Sequence, residues 1–227
     1  MKTRAEIKEI AKTNFKANYW PAVGKLVLFM LILVALCYTG VGILVAPAFT
    51  VGMTFMFIAL YFADAEGSQF GNSVKVGFNN FGRNLGSILL EGLLIYAWTL
   101  LFVVPGIIKS YAYAMTPYIL ADCQDVKAVD AITISRRMMK GHKWEFFVFQ
   151  LSYIGWDLLT VITCGLVGVF YSEPWKQTAF AGYYTELKKF CIENGVVTAE
   201  QFAGAPLDGP VVTAAPQDTV VVDATEE

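Results

Sequence analysis

The chain has 227 residues, of which 56% are apolar and 15% aromatic, while only 16% are charged. Soluble globular domains average about 45–50% apolar and about 25% charged residues, so this composition is shifted toward that of a membrane protein. It excludes a disordered chain, a collagen, a coiled coil and a disulfide-rich miniprotein for the bulk of the sequence. The net charge of −2 is the sum of two parts of the chain with opposite charge. Seventeen basic and twelve acidic residues up to residue 189 give +5, and the seven later acids give −7.

Residues 1–20 predict an amphipathic helix at the membrane interface. Thr3 and Glu6 have the spacing of a capping box, which marks the helix start. Apolar residues then recur at helical intervals on one face, which consists of Ile7, Ile10, Ala11 and Phe15. The remainder of the helix is largely basic. A basic amphipathic helix suits the headgroup layer of an anionic leaflet, and the alternative is an ordinary solvated helix.

Residues 21–190 predict an all-α transmembrane helix bundle. Residues 26–63 carry no charge and would reach about 57 Å as one helix, nearly twice the hydrocarbon core, so this stretch must fold back near residues 40–42. Single charges interrupt the later apolar stretches, which leaves a range of four to six spans. In the four-span alternative, the third and fourth segments form a buried re-entrant pair. The preferred prediction is six spans, at about residues 22–38, 41–62, 85–104, 107–121, 144–163 and 166–188, with a kink near Pro174.

The distribution of basic residues predicts the orientation. If the N-terminus is cytoplasmic, all Lys and Arg except Lys109 and Lys176 lie on cytoplasmic segments or their edges, as the positive-inside rule requires. An even number of spans then returns the C-terminus to the cytoplasm. Residues 191–227 are rich in Pro, Gly, small residues and acids, which predicts a disordered acidic cytoplasmic tail.

Four ionisable residues fall within the predicted spans and form a candidate intramembrane polar site: Glu91, Asp157, Glu173 and Lys176. Charged groups at membrane depth are costly, so each is a functional hypothesis. One interpretation is that they pair with one another and hold the bundle together. The other makes Glu91 and Asp157 a cation- or proton-responsive pair along the path of a small permease or export-type transporter.

A basic cluster precedes the predicted fifth span and consists of Arg136, Arg137, Lys140 and Lys143. Cations at such a position attract anionic lipid headgroups by about 1 kcal/mol each. The alternative is that the cluster serves only as a topology signal. Nucleic acid is not an expected partner, because no recognisable binding fold surrounds these residues.

The sequence predicts no catalytic residues, no cofactor and no metal site. It lacks the H-E-x-x-H, P-loop, G-x-S-x-G and dinucleotide-binding motifs, its single histidine is His142, and its four cysteines contain no C-x-x-C pair. We therefore expect a non-enzymatic structural or interaction component of the membrane. Its expected partners are membrane lipids, together with a membrane protein or a second copy of the chain.

Six stretches of the sequence carry a family resemblance: residues 18–20, 105–108, 111–122, 135–144, 151–156 and 178–187. Taken together and in this order, they resemble the domain of unknown function 975 family of bacterial integral membrane proteins over about residues 3–189. The resemblance implies a multi-span protein of the bacterial plasma membrane with no established activity and no catalytic residues to carry over. Asp157 does not fit this resemblance, because a further bulky apolar or aromatic residue is expected after the stretch 151–156.

Overall fold

The computed structural model describes residues 2–38, 40, 42–64, 67–204 and 207, and every regular element in these ranges is helical. The predicted all-α fold class is therefore confirmed. In chain order the elements are α1 (Arg4–Ala17), α2 (Tyr19–Tyr38), α3 (Gly42–Tyr61), α4 (Phe70–Asn79), α5 (Phe81–Leu101), α6 (Val103–Tyr113), α7 (Thr116–Asp122), α8 (Ala128–Met138), α9 (Lys143–Leu151), α10 (Ile154–Ile162), a π-helical turn (Gly168–Ser172), α11 (Glu173–Glu193) and α12 (Ala199–Phe202).

Three helices of the described chain are long and apolar enough to cross a membrane: α2, the segment Leu44–Tyr61 of α3, and α5. The pair α9 and α10, bent by 42°, adds a fourth if it is one span. The predicted fold-back of residues 26–63 is confirmed, since α2 ends at Tyr38 and packs against α3. The preferred prediction of six spans is therefore corrected to three or four candidate spans, and only the lower limit of the predicted range of four to six agrees with this count.

The predicted fourth and sixth spans are absent for local reasons. The predicted fourth span is divided into α6 and α7, with Pro117 in the first turn of α7. The 11 residues of α6 reach only about 16 Å, half the thickness of a hydrocarbon core. The predicted sixth span begins with the π-helical turn before Pro174, where a kink was expected, and continues as α11, which carries several charged residues.

α3 is the central helix and packs against α1, α2, α4, α5, α7 and α11. Its contact with α4 is made by small residues on both helices, Ala48 and Gly52 on α3 and Ser73 and Gly77 on α4. A Cβ atom on Gly52 would lie 2.5 Å from the carbonyl oxygen of Ser73, so the two backbones touch only because glycine is present.

α1 forms as predicted, but its apolar face lies against protein. The Thr3 hydroxyl accepts a hydrogen bond from the Glu6 amide at 3.3 Å, and the Glu6 carboxylate accepts one from the Thr3 amide at 2.7 Å, which confirms the capping box. Ile7 and Phe15 are fully buried because α1 packs on α11 and α3. The apolar face is therefore covered by protein, and the predicted place of α1 at the membrane interface stays a prediction. Apolar periodicity alone does not distinguish burial in protein from burial in lipid.

Helical structure continues past residue 191, where the predicted tail begins. α11 extends to Glu193, and α12 follows with a capping box between Thr198 and Gln201. Val197 and Phe202 are buried against the helices of the core, which explains why this segment is folded. Residues 205, 206 and 208–227 of the predicted tail lie outside the described residues.

Candidate functional site

Three of the four residues predicted for the intramembrane polar site form an ion-pair triad. Lys176 Nζ lies 2.9 Å from Asp157 Oδ1 and 2.5 Å from Glu173 Oε1. Glu173 and Lys176 are three residues apart in the first turn of α11, so they share a face. Asp157 comes from the first turn of α10, which packs beside the π-helical turn that leads into α11. The triad consists of one cation and two anions.

Glu91 lies apart from this triad. It is on α5, where its carboxylate lies beside the Thr116 hydroxyl of α7 and its Oε2 atom is buried. Within the described chain Asp157 and Glu173 pair with Lys176, and Glu91 takes part in none of the ion pairs. The hypothesis that Glu91 and Asp157 act along one path stays a prediction.

A cleft of about 320 Å³ opens beside the triad. Its polar wall contains Asp157 and Lys176, and aromatic side chains, Phe147 and Phe180 among them, form much of the rest. The Lys176 side chain is only 16% exposed, whereas that of Asp157 is 48% exposed. The lysine is therefore held by its two carboxylates, and Asp157 is the more accessible charge of the triad.

The basic cluster lies where α8 connects to α9. Arg136 and Arg137 are in the last turn of α8, Lys140 is in the connection, and Lys143 is the first residue of α9. Gly141 has φ +91°, a left-handed conformation that favours glycine and that makes this short turn possible. A connection of four residues therefore brings all four cations to one end of the two helices.

The cations of the basic cluster have no carboxylate partner among the residues that the structure describes. The nearby Glu145 carboxylate instead contacts His142 Nδ1 at 3.1 Å, and Arg137 donates a hydrogen bond to the Leu207 carbonyl at 3.3 Å. Trp144, which follows the cluster, is 73% exposed. The positive charge of this surface is thus not neutralised within the described chain, and it adjoins a large exposed aromatic ring.

α6 packs against α9, which sequence reasoning did not anticipate. Ile107 and Ile108 of α6 line a groove together with Lys143 of α9. The predicted orientation, in which Lys109 lies outside the cytoplasmic segments, stays a prediction. No pattern in the sequence reveals a contact between helices so distant in the chain.

Arg83 is a residue whose role the sequence did not reveal. Its guanidinium donates hydrogen bonds to the carbonyl oxygens of Leu120 at 2.8 Å, Cys123 at 2.8 Å, Gln124 at 2.5 Å and Val126 at 3.1 Å. These carbonyls lie at and beyond the C-terminus of α7, where helix carbonyls lack intrahelical partners. Arg83 therefore holds the start of α5 against the end of α7.

Asp122, at the end of α7, joins that helix to α11. Its Oδ2 accepts hydrogen bonds from the Tyr184 hydroxyl at 2.9 Å and from Lys188 Nζ at 2.5 Å. The neighbouring Cys123 is buried, and this burial raises the pKa of its thiol to about 11. The thiol therefore stays protonated at neutral pH and is a poor nucleophile.

Comparison with protein families identifies residues 44–190 as matching the family described as protein of unknown function (DUF975). The chain belongs to this family. The resemblance inferred from the six sequence stretches is thereby confirmed. No curated protein and no solved structure matches the chain.

The DUF975 match contains both candidate sites. It begins in α3 and ends in α11, and so includes the triad, the basic cluster, Lys109 and Arg83. The N-terminal helices α1 and α2 precede it. The features described above are therefore features of the DUF975 region of this chain.

Proposed function

We propose that this chain is a non-enzymatic integral protein of the bacterial plasma membrane that binds anionic phospholipids through its basic cluster, Arg136, Arg137, Lys140 and Lys143. The observation that carries the proposal is the set of cations that have no carboxylate partner among the described residues and that lie beside the exposed Trp144. Each Lys or Arg near an anionic membrane surface contributes about 1 kcal/mol of attraction. Tryptophan is enriched at the depth of the lipid headgroups, because its ring is apolar and its N–H is polar.

Insertion in the membrane is supported by the surface of the long helices. α2 and α5 are apolar enough to cross a bilayer, yet most of their residues are not buried by protein. Leu31, Leu93 and Leu100 are examples of large apolar side chains that remain exposed on them. Acyl chains cover such surfaces in a membrane protein, whereas in water a patch of this extent favours aggregation. We further propose that both termini are cytoplasmic, since the N-terminal segment is rich in Lys and Arg and a count of four spans returns the chain to the same side.

The proposal is tested by neutralising part of the basic cluster. The variant Arg136→Gln, Arg137→Gln, Lys140→Gln is purified in detergent and mixed with phosphatidylglycerol and phosphatidylcholine, and bound lipids are counted by native mass spectrometry. We expect the preference for phosphatidylglycerol to fall at least tenfold, because three attractive charges are lost.

The matched control removes three exposed lysines elsewhere, by Lys16→Gln, Lys75→Gln and Lys127→Gln. It has the same net charge as the test variant and is expected to keep the lipid preference of the unmodified protein. If the test and control variants select phosphatidylglycerol equally well, the basic cluster is not the lipid-binding surface.

A further inference from the structure

The cleft beside the ion-pair triad has the size of a small-molecule site. Its volume is about 320 Å³, and clefts that bind small molecules span about 300–1,000 Å³. Four helices contribute to its lining, which includes Tyr111 of α6, Phe147 of α9, Asp157 of α10 and Phe180 of α11. The cleft is therefore built by the packing of distant segments and not by a single loop.

The triad gives this cleft an excess of negative charge. Lys176 Nζ contacts one oxygen of Asp157 and one of Glu173, so one of the two negative charges has no counterion within the triad. Among the described residues that line the cleft, Lys176 is the only lysine or arginine. The Asp157 side chain is 48% exposed, whereas that of Lys176 is 16% exposed. The charge that a ligand in the cleft meets is therefore negative.

Aromatic rings form much of the remaining wall. The ring centres of Tyr111 and Phe147 lie 5.9 Å apart at an interplanar angle of 86°. Phe180 is one helical turn after Lys176 on α11, so its ring enters the cleft from the same face as the triad. Aromatic rings attract organic cations through their negative faces, and clusters of rings recognise quaternary ammonium groups in this way. A carboxylate and several rings in one cleft thus suit an ammonium group.

The cleft also has an apolar side. Leu151 and Ile154 line it, and these residues are 46% and 61% exposed. They lie where α9 meets α10, and these two helices form the bent candidate span. In the proposed membrane-inserted state, acyl chains contact such a surface, and an uncompensated carboxylate beside it is costly unless a cation pairs with it. A ligand with both a cationic head and an apolar chain satisfies both parts of the cleft.

We propose that this cleft binds an amphiphilic organic cation, with its ammonium group beside Asp157 and the aromatic rings and its apolar chain along Leu151 and Ile154. Glu173 neutralises Lys176, which leaves the Asp157 charge for the ligand. The inference uses the proposed membrane insertion but not lipid binding by the basic cluster, whose charge is opposite.

Isothermal titration calorimetry of the full chain in a maltoside detergent tests the charge of the site. The probes are hexyltrimethylammonium and hexanesulfonate, a cation and an anion with the same apolar chain, and we expect only the cation to bind. Asp157→Asn keeps the shape of the side chain and an oxygen that accepts a hydrogen bond from Lys176. It is expected to lower the affinity for the cation about tenfold, because the excess negative charge is lost.

The matched control is Glu193→Gln, which removes the same charge at an exposed position in the last turn of α11. It is expected to leave the affinity for hexyltrimethylammonium unchanged. Equal affinity in Asp157→Asn and Glu193→Gln, equal binding of both probes, or no binding of the cation by the unmodified protein would overturn the inference.

A second set of variants tests the aromatic wall and leaves the triad intact. Phe147→Leu is expected to lower the affinity for hexyltrimethylammonium about threefold, because an aromatic face is lost while the position stays apolar. Phe147→Tyr is expected to restore it, and Phe62→Leu, at an exposed position after α3, to leave it unchanged. Equal affinities in Phe147→Leu and Phe62→Leu would contradict the assignment of the rings to the site.

The ammonium group of the ligand belongs either to a lipid headgroup or to a free cation. Phosphatidylethanolamine added to the micelles distinguishes these sources: displacement of the probe identifies the headgroup as the ligand, and unchanged binding identifies a free cation. Asp157→Asn leaves the basic cluster intact and is expected to keep the preference for phosphatidylglycerol. The triple variant of the basic cluster is expected to keep the affinity for the cation, so either proposal fails without the other.

Discussion

The charged residues of this chain differ in what surrounds them, and this difference determines their roles. Lys176 contacts two carboxylates and is mostly buried, so its charge is neutralised within the protein. Lys140 and Lys143 have no carboxylate partner in the described part of the chain. A surface cation without a carboxylate partner is available to an external anion. The proposal of lipid binding therefore rests on these residues and not on the triad.

At the residue scale we predict that Arg83→Lys destabilises the protein by about 2–3 kcal/mol. A planar guanidinium with five N–H donors reaches four carbonyls at the end of α7, whereas one ammonium group satisfies fewer of them and leaves buried acceptors unpaired. Thermal unfolding in detergent measures the effect. The matched control is Arg136→Lys at an exposed position, where we expect no change. Equal melting temperatures for the two variants would contradict the role assigned to Arg83.

At the element scale, small residues decide how closely two helices approach. We predict that Gly77→Ala destabilises the contact between α3 and α4 by about 1–3 kcal/mol, because its Cβ would overlap the backbone carbonyl of Ala48. Gly71→Ala on the same helix meets no atom within 4 Å, and is expected to be neutral or stabilising by up to about 1 kcal/mol through helix propensity. Unfolding midpoints that fall in both variants alike would refute this explanation.

α1 shows the limit of a periodic pattern at the same scale. The capping box and the apolar spacing predicted a helix with one apolar face, and both features are present. The pattern did not determine what covers that face. Since a protein core and a lipid bilayer are both apolar, Ile7 and Phe15 satisfy either environment equally well. Only the packing of α1 on α11 and α3 distinguishes them.

At the scale of the whole molecule, the groove that Ile108 of α6 shares with Lys143 of α9 constrains the topology, because it places residue 109 and the start of α9 at a similar depth in a membrane. We predict that Lys109→Cys and Lys140→Cys, each in a cysteine-free background, are accessible from the same side. Labelling of intact and permeabilised cells with a membrane-impermeant maleimide measures this. Labelling of one position only in intact cells and of the other only after permeabilisation would contradict the arrangement of α6 and α9.

Composition and local pattern were sufficient for the features that depend on neighbouring residues. The helical class, the family, the fold-back between α2 and α3, and the spacing of Glu173 and Lys176 on one face all follow from residues close in the chain. Hydropathy and the helical period are local properties, so they identify such features without knowledge of the rest of the fold.

The tertiary structure alone decided which distant residues meet. It placed Asp157 on Lys176, left Glu91 out of that ion-pair triad, packed α6 against α9, and divided the expected fourth, fifth and sixth spans into shorter elements. The physical reason is that these outcomes depend on which helix covers which face, and many arrangements of apolar helices bury similar areas. Long-range packing and a few buried polar contacts select one arrangement among them, and no local pattern of the chain encodes that choice.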